Sequence, residues 1–255
     1  MALKHGPVSA GGFVRLLLTR PAFAARLFGR RLNYFVFRRF HPPFITPDGF
    51  PIETRDALIT YWSVFVEREL WDSSWVGALQ ASSHPLVVDV GANAGVFSHF
   101  VQTLKRDAEI IAFEPLPAMA RRLERLPETT GVHLTCIQKA VTASAGHAWF
   151  ESTHGDDGTS HLAISPATEA KQRFRVETTT LDAVLRGRKP FLVKIDVEGF
   201  ECDVIAGAKQ AVADAQFLII EAHTEADLQA VSEAVGQGWS TRRLGSSDYL
   251  FFRSR

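Results

Sequence analysis

A chain of 255 residues suits one large domain with an extension, and 46% apolar side chains give it the ordinary composition of a globular protein with a real core. Lys and Arg number 28 and Asp and Glu 28, so no overall charge draws the protein toward nucleic acid, and none is expected as a partner. Cys136 and Cys202 stand far apart without metal-type spacing, which excludes a disulfide framework and a zinc site and fits a reducing, cytoplasmic setting.

Charge is nevertheless uneven. From Met1 to Pro47 there is no Asp or Glu, while Lys4, Arg15, Arg20, Arg26, Arg30, Arg31, Arg38 and Arg39 crowd the segment. Two readings follow: a basic amphipathic segment making peripheral contact with an anionic membrane, or a helical layer packed on the main domain with its arginines solvated. No apolar run approaches the roughly 18 residues of a spanning helix. The Pro-rich "HPPFITPDGFP" marks a boundary, giving a basic extension and connector over 1–50 and a main domain over 51–255.

The spacing of apolar residues from Trp62 to Leu79 predicts one or two helices, after which strands and helices alternate. "LVVDV" is a strand, Gly95 to Leu104 a helix, "EIIAFE" a strand, Pro117 to Leu126 a helix opened by proline, and "VHLTCIQKAV" a third strand. An excursion from Ala143 to Leu185 holds the strands "HAWFE" and "FRVETTT" around a long loop. In that loop His154, Asp156, Asp157, Ser160 and His161, hinged at Gly155 and Gly158, either close over a ligand or form a solvated tip. Then come "FLVKIDV", a helix from Glu201 to Val212, "FLIIEAH", a helix from Glu225 to Val235, and "WSTRRL" and "YLFFR" as a terminal antiparallel hairpin. The alternation specifies an α/β fold with an open, mostly parallel sheet and helices on both faces.

Ligands of such sheets sit beyond the strands' carboxyl ends, where strand order reverses. "LVVDVGANAG" places Asp89 and the glycines there, and lacks the third glycine of a dinucleotide fingerprint. A carboxylate two residues before Gly91 is a poor neighbour for phosphate and a good one for an ammonium or sulfonium. Glu114 ends the next strand, 23 residues after Gly91, where it can accept hydrogen bonds from both ribose hydroxyls. Adenosine with a cationic amino-acid arm satisfies both carboxylates, which describes S-adenosylmethionine; Gly91 and Gly95 would admit close backbone approach, and NAD fits worse.

"VVDVGANAGVFS", "IIAFEPLP", "TTTLDAVL", "FLVKIDVEGFECDVIAGA" and "FLIIEAH", in this order and spacing from Trp71 to His223, resemble the FkbM family of S-adenosylmethionine-dependent methyltransferases. The resemblance implies the class I, Rossmann-like, seven-stranded methyltransferase sheet and O-methylation of a hydroxyl on a sugar, glycan or natural product. It adds Asn93, Pro115, Gln138 and Asp196 to the cofactor-binding set.

Alternation in "VKIDVEG" puts Lys194, Asp196 and Glu198 on one side of their strand, as "LIIEAH" does Glu221 and His223. Buried Lys194 needs a partner, with Asp196 and Glu221 the candidates. His223 can serve as general base for the acceptor hydroxyl, held by Glu221 or Asp196. Alternatively Asp196, Glu198, Glu221 and His223 bind a divalent Mg or Mn ion that acidifies the hydroxyl, or the cluster is structural. A small-molecule or glycan acceptor is expected; oligomeric state is not readable. The competing function is an inactive adenosyl-ligand-binding module serving as a membrane or partner adaptor.

Overall fold

A computed structural model gives the structure of the protein and describes residues 44–152, 160–163 and 172–253, with the isolated helical residues 22, 24 and 25. Both readings of the basic segment, and the loop residues His154 to Gly158, lie outside the described residues; Ser160 and His161 enter a strand. Among the described residues no helix is long and apolar enough to cross a membrane.

The described chain begins with a small hairpin, β1 (Phe44–Ile45) and β2 (Pro51–Ile52), followed by α1 (Arg55–Tyr61), whose first turn is capped by Thr54 accepting from the Ala57 N–H at 3.1 Å. The helix widens into a π-helical turn, Trp62–Glu67, that ends at Arg68 in the left-handed region. After α2 (Ser73–Ala81) the alternation starts: β3 (Leu86–Val90), α3 (Val96–Leu104), β4 (Glu109–Phe113), α4 (Pro117–Thr130) and β5 (Leu134–Ile137). It resumes with α5 (Leu181–Leu185), β10 (Leu192–Ile195), α6 (Glu201–Ala206), α7 (Lys209–Asp214), β11 (Phe217–Glu221) and α8 (Glu225–Val235). The hairpin β12 (Ser240–Arg243) and β13 (Asp248–Phe252) closes the sheet.

Seven strands pair in the order β12-β13-β11-β10-β3-β4-β5, parallel from β11 to β5, with β13 antiparallel to both its neighbours. This is the seven-stranded class I methyltransferase sheet that the resemblance implies. From β3 the chain winds one way to β4 and β5, and returns on the other side as β10 and β11. The switch point therefore lies between β3 and β10. One face, carrying Val87, Ile110, Leu192 and Ile219, packs under the N-terminal helices and α3; the other, carrying Val88, Val193, Ile195 and Leu218, packs under α5 to α8.

Three elements depart from the sequence reading. The third strand is cut at Gln138, where the Lys139 N–H turns back to the Ile137 carbonyl at 2.8 Å, and Ala140–Val141 (β6) leaves for another sheet. That sheet absorbs the excursion, in the order β6-β9-β7-β8 with β7 (Gly146–Ser152), β8 (Ser160–Ala163) and β9 (Gln172–Thr179). The expected helix from Glu201 to Val212 breaks into α6 and α7 at Gly207, which caps α6 and where the Thr142 carbonyl oxygen passes so close that any Cβ would stand 2.0 Å from it. Finally, α4 runs through Pro127, since only one helical N–H is forfeited there, and stops at Gly131 in the left-handed region.

Residues of the connector pack on the domain. Phe50 is fully buried, and Asp48 accepts a hydrogen bond from the Tyr61 hydroxyl at 2.8 Å and lies 3.1 Å from His99 Nε2 on α3. Burial opposes the charge of Asp48, yet His99, Thr46 and Tyr61 hold its carboxyl down at about 2. A depressed pKa contributes stability that is present above the ordinary carboxylate value and lost as pH falls through about 2. Asp48→Asn should cost about 1 to 3 kcal/mol in urea unfolding at pH 7. The gap to the parent should close between pH 4 and 2; an equal gap at both ends of that range would show that Asp48 acts by packing alone.

Candidate active site

The site is built at the switch point from four strand ends. In register, Lys194 of β10 lies beside Asp89 of β3, so both side chains look into the face under α3. Asp89 is fully buried and accepts from Ser98 Oγ at 2.7 Å through Oδ2, while Oδ1 has no hydrogen-bond partner. Burial raises its pKa, against the opposing pull of Lys194. Lys194 Nζ sits 2.7 Å from Asp196 Oδ2 and 5.7 Å above the Phe97 ring. Burial alone would discharge the amine, but Asp196, Asp89 and Asp248 raise its pKa above the ordinary lysine value. The partner across the ladder is thus Asp89; Ile219, not Glu221, stands opposite Lys194 on β11.

Asp196 and Glu198 lie beyond the end of β10, so strand alternation does not place them. A turn does. Glu201 Oε1 accepts from the N–H groups of Val197 at 3.2 Å and Gly199 at 3.1 Å, and Glu198 takes φ +56° between them. Sequence reading missed Glu201 in this positioning role; its spacing inside "DVEGFE" is the one signal that could have shown it. Burial raises the pKa of Glu221, and the charge of the neighbouring Asp196 raises it further; Asp196, facing Lys194, stays below its ordinary value despite its own burial. Across the hairpin Asp248, opposite Glu221 in register, is pushed up to about 7 by burial, with Lys194 opposing and Asp196 and Glu69 reinforcing the rise.

The glycine loop follows β3. Gly91 and Ala92 both donate to the Phe113 carbonyl at 3.0 Å, and Gly91 has φ +80°. A Cβ there would stand 1.8 Å from the Asp196 carbonyl oxygen, so glycine is demanded by the approach of the β10 loop as well as by φ. Gly95 departs from expectation: its Cβ would strike Leu123 and Leu126 at 2.7 and 2.8 Å, so it serves the packing of α4 and does not line the cleft. Asn93, at φ +48°, donates its N–H to Glu114 Oε2 at 3.0 Å and keeps a buried Oδ1 without a hydrogen-bond partner. Glu114 also accepts from Leu116 N–H at 2.8 Å, and its burial lifts the carboxyl to about 7.

These groups line one cleft of about 310 Å³. Asp89, Gly91, Asn93, Glu114, Pro115, Lys194, Asp196, Glu198, Glu221 and His223 all reach it. Gln138 does not: it is exposed at the turn after β5, and Lys139 takes the lining position. His223 lies past β11 with Nε2 3.4 Å from Glu221 Oε2 and 3.7 Å from Glu198 Oε2. The ligand atoms of Glu198, Glu221 and His223 fall within 4.8 Å of one another; Asp196, held by Lys194, stands outside that trio. Residues the sequence reading did not assign to the site also line it, among them Ser63 of the π-helical turn, Glu69 just after it, and Ser247 and Asp248 of the hairpin.

A seven-stranded sheet of this order, with a glycine loop and two buried carboxylates at its switch point, defines a class I methyltransferase fold. The sequence pattern of the Methyltransferase FkbM domain matches residues 89–237, and the chain belongs to that family. It is 27% identical to the hexuronic acid methyltransferase AglP of Haloferax volcanii, over 62% of this chain and 64% of that protein. It is 28% identical to the 2-O-methyltransferase NoeI of Sinorhizobium fredii, over 54% of this chain and 63% of that one. The chain thus spans just under two thirds of the length of these relatives. Among solved structures, the N-terminal domain of human METTL16 in complex with SAH aligns with a TM-score of 0.43 at 10% identity, over 100% of this chain and 99% of that one.

Among the described residues lining the cleft, Lys194 is the lysine bonded to these carboxyls, so Lys194→Met should cost about 3 to 5 kcal/mol, the usual range for stripping one partner from a buried ion pair. Without the amine, Asp89, Asp196 and Asp248 gain protons more readily when folded, and stability should fall as pH rises. Chemical unfolding at pH 5.5 and 8 checks this: a variant equally destabilised at both would place the effect in packing against Phe97.

Proposed function

We propose that the protein is an S-adenosylmethionine-dependent O-methyltransferase acting on a hydroxyl of a sugar, glycan or glycosylated small molecule. The observation that carries the reading is a single cleft that holds both a buried Asp89 whose Oδ1 has no hydrogen-bond partner and His223 within 3.4 and 3.7 Å of two carboxylates. The donor, when bound, supplies a methyl group on a cationic sulfur. Asp89 suits its ammonium. Each Glu114 oxygen already accepts one backbone N–H, so the carboxylate is fixed in direction and keeps a lone pair on each oxygen for the two ribose hydroxyls. Hydroxyl donors favour its ionised form against the burial that raises its pKa.

At the acceptor end His223 takes the hydroxyl proton, and Glu221 and Glu198 orient the ring and stabilise the imidazolium. The names of the relatives support a sugar hydroxyl as acceptor. The adaptor reading is disfavoured because an inert module needs no imidazole and carboxylates beside its ligand. A second reading of the same trio has support in its geometry: two carboxylate oxygens and an imidazole nitrogen within 4.8 Å form a donor set that Mg or Mn accepts.

His223→Ala should leave donor affinity in calorimetry nearly unchanged and lower turnover about 100-fold or more, as loss of a positioned base does. Near-normal turnover at the variant's pH optimum would remove His223 as base. Activity abolished by a chelator and restored by magnesium or manganese would select the metal reading; chelator-resistant activity would eliminate an exchangeable ion. Binding of NAD as tight as that of S-adenosylmethionine would sink the cofactor assignment.

A further inference from the structure

We infer that the far end of the cleft selects an acceptor sugar that carries no carboxylate, a neutral or amino sugar, and turns uronic acids away, with Glu69 and Asp248 as the discriminating residues. The inference rests on the O-methyltransferase reading above. It does not follow from the relatives, one of which is named for hexuronic acid.

The wall of this end is assembled from three separate stretches. The π-helical turn and the residues just after it bring Ser63 and Glu69, the hairpin brings Ser247 and Asp248, and the ends of β10 and β11 bring Asp196, Glu198 and Glu221. Glu69 is fixed in place: Ser63 Oγ donates to its Oε2, the Glu69 N–H donates to the Ser63 carbonyl at 3.2 Å, and its side chain lies against Gly245, where a Cβ would sit 3.0 Å from its own Cβ. Asp248 feels the charges of Lys194, Asp196 and Glu69, so these groups share one electrostatic environment. Glu221 accepts from Ser247 Oγ at 3.0 Å.

Cations to answer an incoming carboxylate are scarce. Among the described residues lining the cleft, Lys and Arg are represented by Lys139 and Lys194. Lys194 is bonded to Asp196, with its side chain 7% exposed; Lys139 follows β5, away from this wall, and pairs with Glu177 at 2.9 Å. A uronate oriented on this wall would therefore lose water and meet carboxylates, which is costly in a partly desolvated cleft. A neutral sugar meets the reverse. Ser63 Oγ and Ser247 Oγ, whose protons are given to Glu69 and Glu221, keep lone pairs that accept from sugar hydroxyls, as do the carboxylate oxygens beside them. An amino sugar gains further from the excess of negative charge. The unpartnered Asp89 Oδ1, in a residue buried completely, marks the same cleft as one that awaits a ligand.

The test uses the full chain, labelled S-adenosylmethionine and length-matched oligosaccharide pools: dextrin, chitosan oligomers, oligogalacturonate, and the same oligogalacturonate after its carboxylates are reduced to hydroxymethyl groups. Transfer to the neutral or amino pools should exceed transfer to oligogalacturonate at least tenfold, and carboxyl reduction should raise incorporation. Glu69→Gln and Asp248→Asn should each lift the ratio of uronate to neutral transfer about 5- to 10-fold, the order expected for removing one charge at contact distance, with donor binding by calorimetry as the check on folding. Equal or preferred methylation of oligogalacturonate by the unmodified chain would overturn the inference while leaving the methyltransferase reading intact. A chain that binds donor and methylates none of the pools would overturn the sugar reading itself, and this inference with it.

Discussion

Everything at the switch point turns on one buried amine. Lys194 lies in the middle of a parallel sheet, where an unpaired charge would not be tolerated, and it is held by Asp196 at the end of its own strand and by Asp89 on the next. Because β3 and β10 are joined in register, that pairing fixes how far each strand projects toward the cleft. The glycine loop and the acidic turn are then positioned by the same contact. A sheet cut from apolar residues alone would have the strands but no such lock on their ends.

The lock also sets the chemical character of the cleft. One amine cannot neutralise Asp89, Asp196, Glu221 and Asp248 together: burial, and after it the charge of Asp196, raises the pKa of Glu221 and Asp248, while Lys194 beside Asp196 keeps that carboxyl low. The result is a mixed wall of ionised and protonated oxygens. Such a wall can accept a cation, donate to a hydroxyl and orient an imidazole within a few ångströms.

Most of the sheet was legible in the sequence because buried parallel strands read as continuous apolar runs and the helices between them carry ordinary caps, as at Thr180 and Thr224. What was not legible depended on contacts between distant segments. Nothing in "GAKQ" reveals that Thr142 crosses over Gly207, or in "CIQKAV" that the chain leaves one sheet for another at Gln138. Asp89, Glu114, Asp196, Glu221 and His223, singled out in the sequence near the carboxyl ends of strands, all line the cleft. Gly95 was found for the wrong reason, its neighbours being leucines and not a ligand. Glu69 and Asp248 were missed because "VEREL" reads as helix and "GSSD" as turn; an acidic residue opening an otherwise apolar strand was the available hint.

The cleft draws its two ends from different parts of the chain. Asp89, Glu114, Asp196 and His223 lie within residues 89–237, whereas Ser63 of the π-helical turn, Glu69 just after it and the hairpin with Asp248 lie to either side of that span. The molecule therefore resembles a fixed engine with an interchangeable nozzle: the outer segments line the cleft without forming the glycine loop. An engineer wishing to redirect the enzyme to another substrate could graft the turn at 62–70 and the hairpin tip at 244–248 together, since Glu69 and Gly245 abut, and leave the central sheet as it stands.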